Sequence, residues 1–152
     1  MNSLGTSYIK IIIFSFLFII SLYDFLYYRI PNKFIIPLLV FVISEMIISK
    51  CTIQICIHKF LVSIIFVLFL FFVRGLTKGG LGLGDIKLIF VTSIYFGFLK
   101  SYIALFIACF LGLLIIVIYK MSSKEIKVKI PFAPFISTGY FIIEIFCRFL
   151  KC

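Results

Sequence analysis

Two aspartates and a run of glycines are the residues here whose types and spacing could do chemistry. Asp24 and Asp85 are the only aspartates in the chain, and each stands at the edge of an apolar run. A carboxylate next to hydrocarbon is expensive and marks either a site or a paired charge. Two that meet can share a proton, so that one activates water while the other protonates a carbonyl oxygen or leaving group. Ahead of Asp85 lies Lys78-Gly79-Gly80-Leu81-Gly82-Leu83-Gly84. Glycine at that density costs backbone entropy and makes sense where a loop must hold an unusual path. The bland readings are that Asp85 caps a helix and that Asp24 pairs with Arg29 or Lys33. A cap alone does not require the glycines. Glu45 and Glu144 fall in the far halves of their runs, and Glu125 sits among lysines in a loop.

The elements that must position these acids are apolar. Of the 152 residues, 64% are hydrophobic, and the mean hydropathy is +1.33. That is the composition of a membrane protein, not of a soluble core. Apolar runs cover residues 9–23, 34–49, 60–73, 86–99, 102–119 and 132–150. The first break is Arg29-Ile30-Pro31-Asn32-Lys33, where proline removes a donor and turns its predecessor from helix. A polar connection follows at 50–59, then the glycine stretch, a Lys100-Ser101 break, and a polar loop at 120–129. Pro131 opens the last run, and proline suits a helix's first turn. The pattern predicts an all-α polytopic membrane protein of about six transmembrane helices, forming one domain over residues 1–152. The start lacks the basic lead and small-residue cleavage site of a secretory signal, so the first run reads as a retained helix.

Lys and Arg number 15 against 5 acids, but they lie between apolar runs, with no basic face for nucleic acid. They set topology and meet anionic headgroups instead. With the N-terminus outside, nine of the basic residues fall on the inner side and six on the outer. Both aspartates then lie at the cytoplasmic face. The five cysteines form no C-x-x-C pair, and His58 is the lone histidine, so the residues predict no metal site. A Cys51–Cys56 disulfide is possible in an oxidising compartment. The ends of the first and fourth helices would bias Asp85 toward ionisation and leave the shared proton on Asp24.

Gly82-Leu83-Gly84-Asp85 resembles the GxGD signature of membrane aspartyl proteases. Its extension from Gly80 through Ile86-Lys87-Leu88 resembles the type IV prepilin peptidases. Three further matches follow in order. Asp24 precedes Ile30-Pro31-Asn32, Gly97 stands where the family's next helix carries a glycine, and Ile130-Pro131-Phe132-Ala133-Pro134-Phe135 precedes Gly139.

The resemblance implies a six-helix GxGD core with Asp24 and Asp85 as catalytic pair. Gly80, Gly82, Gly84 and Lys87 would form the active-site loop, and Ile30, Pro31, Asn32, Pro131, Phe132 and Pro134 would support it. The partners implied are membrane lipids and a prepilin-like substrate with a basic leader and a hydrophobic helix, cleaved at the cytoplasmic boundary of a prokaryotic cell membrane. No cofactor or metal is implied. Longer members carry an N-terminal insertion with paired C-x-x-C motifs, linked to N-methylation. Nothing here corresponds to it, so peptidase without methyltransferase activity is expected. Two other classes compete: a small ion-coupled transporter, for which no internal repeat is visible, and a silent subunit of a pilus or secretion assembly, which would be expected to have lost an aspartate.

Overall fold

The computed structural model describes residues 3–48, 52–76, 80–121 and 131–149. Among them every regular element is helical. The order is α1 (Ser3–Tyr27), α2 (Asn32–Ile48), α3 (Ile53–Leu76), α4 (Leu83–Phe96), α5 (Phe98–Met121) and α6 (Ala133–Phe149). Three stretches are long and apolar enough to cross a membrane: Tyr8–Tyr27, Ile53–Leu76 and Phe98–Ile118. Their outward faces carry exposed Phe18, Phe25, Phe69, Phe72, Phe106 and Phe110. Water would not tolerate so continuous an apolar surface, whereas lipid tails match it.

The shortest helix is the most enclosed. α4 has 14 residues, about 21 Å at 1.5 Å per residue, against a hydrocarbon core of roughly 30 Å. It buries Ile86, Leu88, Ile89, Val91, Thr92, Ser93 and Ile94 and packs against α2, α3, α5 and α6. A helix sheathed in this way can end at membrane depth, where Gly82 and Leu83 border a pocket, a place in which non-helical backbone is tolerated. The Thr92 and Tyr140 hydroxyls meet at 2.8 Å inside the bundle, and the Tyr140 ring stacks on Phe96 with centroids 4.7 Å apart. Where α6 crosses α5, a Cβ on Gly139 would stand 2.5 Å from the Ala104 carbonyl oxygen. Only glycine allows that approach.

Element boundaries differ from the sequence reading most instructively around the two acids and at the connections between helices. α1 continues past Asp24 to Tyr27 and closes where Tyr28 N–H donates to the Asp24 carbonyl at 2.7 Å. Tyr28 itself is left-handed, with φ 51°. The expected polar connection at 50–59 is shorter, because α3 begins at Ile53 and takes His58 and Lys59 into its first turns. The break between the fourth and fifth helices falls at Gly97, not at Lys100-Ser101. Gly97 adopts φ 83° while its N–H still bonds the Ser93 carbonyl at 2.9 Å. Finally, α4 starts at Leu83, so Gly84, Asp85 and Lys87 are helical and not part of a loop. Lys78, Gly79, Cys51 and the polar loop with Glu125 lie outside the described residues, as does the possible Cys51–Cys56 pairing.

Candidate active site

Asp24 lies in the last turn of α1 and is 5% exposed. Burying a carboxylate requires donors, and α6 supplies them. The Ala133 N–H donates to Asp24 Oδ2 at 3.1 Å, and the Phe132 amide lies close enough to favour the charge on this carboxylate. These amides are free because they open a helix, where the first N–H groups have no intrahelical partner. The Phe132 carbonyl accepts from Phe135 and Ile136 N–H at 3.1 and 3.2 Å, which fixes where α6 begins. Pro131 precedes that point, and Pro134 occupies the first turn, where a missing N–H costs nothing. Neither proline lines the pocket described below; both shape the backbone that offers its amides to Asp24.

Asp85 is the third residue of α4. Gly82 occupies the cap position with extended backbone, φ −66° and ψ 138°, and no side-chain cap bond. Asp85 instead reaches back to the Gly82 N–H, as the acidic member of a capping box does. A cap contact is therefore present, although Asp85 is not the cap residue. The turn is tight: a Cβ on Gly82 would come within 2.5 Å of Asp85 Oδ2, and one on Gly84 within 2.8 Å of Ile30 Cβ. Gly84 thus lets the start of α4 lie directly on the connection that follows Asp24.

The two acids come together. Asp24 and Asp85 line one pocket of about 360 Å³, with Tyr28, Arg29, Ile30, Asn32, Gly82, Leu83, Gly84 and Lys87. The carboxyl groups interact electrostatically across it. α2 and α6 do most of the bridging between α1 and α4, each packing against both. Across one rim Lys87 Nζ donates to Asn32 Oδ1 at 3.0 Å. Among the described residues neither Asp24 nor Asp85 forms an ion pair. Lys33, a candidate partner for Asp24, lies over the Tyr23 and Phe34 rings at 5.3 and 5.4 Å. Gly80 is exposed and outside the pocket lining. No group of three or more His, Cys, Asp or Glu placed to hold a metal occurs among the described residues.

Several contributors were missed by sequence reasoning. Ser21, one turn before Asp24, donates to the Leu17 carbonyl at 2.7 Å and reaches the Ala133 carbonyl at 3.3 Å. It also meets the Ser137 hydroxyl, and Ser137 donates to the Ala133 carbonyl at 2.7 Å. This pair ties the first turn of α6 to α1 beside the amide that Asp24 accepts. Arg74 Nη1 donates to the Leu81 carbonyl, tethering the glycine stretch to α3. Two serines spaced within apolar runs were the available signal for the first; nothing in the sequence pointed to the second.

An all-helical membrane bundle with two acids in one pocket fits the class of polytopic membrane proteases. Residues 11–117 match the type IV leader peptidase family, and the chain belongs to that family. The matched segment takes in Asp24, Ile30-Pro31-Asn32, the glycine stretch, Asp85 and Gly97, and stops before Pro131. No curated protein and no solved structure matches the chain.

Proposed function

We propose that this protein is an aspartic endopeptidase that removes the leader from a prepilin-like substrate, whether a type IV pilin, Flp pilin, pseudopilin or preflagellin. Cleavage takes place at the cytoplasmic boundary of the cell membrane, just ahead of the substrate's hydrophobic segment. The observation that carries this reading is that the only two aspartates, far apart in the chain, line one pocket. The excess of basic residues in the connections that the sequence assigns to the aspartates' side supports an inward-facing site, with the N-terminus outside.

Hydrogen bonding supports a division of roles opposite to the one helix ends alone suggest. Asp24 accepts from the Ala133 N–H at 3.1 Å and has the Phe132 amide beside it, whereas Asp85 has only the Gly82 amide nearby. Amide donors favour the ionised form; the positive helix ends do not separate the acids, since Asp24 sits at that of α6 and Asp85 at that of α4. Asp24 is then the base and Asp85 holds the shared proton. Asp24 takes a proton from water as its oxygen attacks the scissile carbonyl carbon. Asp85 gives its proton to the carbonyl oxygen, forming a neutral tetrahedral diol. Collapse returns a hydroxyl proton to Asp85 and passes the Asp24 proton to the departing nitrogen. Both carboxyl groups end as they began.

The test is co-expression with a prepilin-like substrate, followed by its mobility on a gel. A shift that disappears with Asp24→Asn and with Asp85→Asn is the expected result. Processing that survives either substitution would sink the assignment.

A further inference from the structure

A second pocket lies at the opposite end of the bundle. Positions 10 and 24 of α1 are separated by about 21 Å at 1.5 Å per residue, so Lys10 stands far from the aspartates. Around it gather Lys100 from the first turn of α5 and Glu144 and Arg148 from the end of α6, enclosing about 360 Å³. Glu144 pairs with Lys10 and has Lys100 Nζ at 3.6 Å from its other oxygen. Arg148 is one helical turn from Glu144 and would ordinarily pair with it. With Glu144 engaged by the lysines, Arg148 has neither an ion pair nor a hydrogen bond among the described residues. Three cations against one acid leave the pocket positive.

Its walls are apolar. Ile11, Phe141 and Ile145 line it and are 61%, 56% and 42% exposed on a bundle whose outer surface faces lipid. Free phosphate would use the cations and leave these side chains idle. A phospholipid uses both, placing its phosphate among Lys100 and Arg148 and its acyl chain along the wall. We propose that this pocket binds the headgroup of an anionic phospholipid at the membrane face opposite the aspartates. The site is independent of the peptidase reading and stands or falls without it.

The chain has no tryptophan, so Phe141→Trp places a single tryptophan in the pocket wall, excited selectively over the tyrosines. The protein carrying it is placed in phosphatidylcholine bilayers containing increasing fractions of brominated phosphatidylglycerol or brominated phosphatidylcholine. Brominated phosphatidylglycerol should quench at about tenfold lower mole fraction. Arg148→Gln should reduce that preference about fivefold, while Arg148→Lys retains it. Phe110→Trp, on the lipid face of α5, should show no preference and reports that each variant is folded. Equal quenching of the pocket fluorophore by the two lipids overturns the site, as does a preference that Arg148→Gln leaves intact. Abolition of the preference by millimolar inorganic phosphate would assign the pocket to a free anion and overturn the lipid assignment.

Discussion

At one end of the bundle Glu144 is met by the ammonium groups of Lys10 and Lys100. At the other, Asp24 and Asp85 share a pocket, and among the described residues neither has a cationic partner. Both ends solve the cost of a carboxylate within an apolar bundle, by different means. A lysine neutralises the charge and ties the acid to one geometry. Backbone amides stabilise the charge while leaving the other carboxylate oxygen open to water or substrate. The first arrangement suits holding helices together, and the second leaves an acid able to take and give a proton.

Substitutions at the two ends should therefore separate activity from stability. Asp24→Asn or Asp85→Asn should lower leader cleavage by about 10³-fold or more, with the protein still accumulating in the membrane. Combining them should add little, since the pair acts as a unit; multiplied losses in a single-turnover assay would break that view. Gly82→Ala places a methyl against Asp85 and should cost about 10²-fold in rate by displacing the carboxylate. Gly84→Ala, which meets Ile30, should act similarly. Full cleavage in both would reduce the glycines to packing residues. Ser21→Ala and Ser137→Ala should each slow turnover about fivefold, the loss of one net hydrogen bond, by loosening the amides that face Asp24. Glu144→Gln should leave cleavage nearly unchanged and lower stability in detergent by about 1–2 kcal/mol, read as a drop in Tm. If Glu144→Gln abolished cleavage at unchanged Tm, the contrast between the two ends would fail.

Much of this arrangement was legible in the residues. Six apolar runs corresponded to six helices, and the scarcity of aspartate made Asp24 and Asp85 conspicuous. What escaped notice lies in the backbone. Polarity points to a break at Lys100-Ser101, yet the chain turns where Gly97 leaves helical dihedrals. The segment at 53–59 looked like a connection because it contains His58 and Lys59, although a membrane helix readily carries polar residues in its interfacial turns. The amides of Phe132 and Ala133 have no signature of their own. Only the neighbouring Pro131 and Pro134 hinted that a helix opened there, and only the fold brought that opening to Asp24. Lys87 illustrates the reverse case: its motif grouped it with the loop, whereas it is a helical residue bonded to Asn32.

One consequence of the packing reaches beyond either acid. Because α2 and α6 each bridge α1 and α4, the span between the two carboxyl groups is gauged by third parties, as the jaws of a caliper are set by its slide. The seat of α6 depends on Gly139 lying against Ala104, about 9 Å along the helix from the amide that meets Asp24. A methyl group added there would reset the opening without touching a proton-bearing atom, and a compensating trim on α5 would restore it.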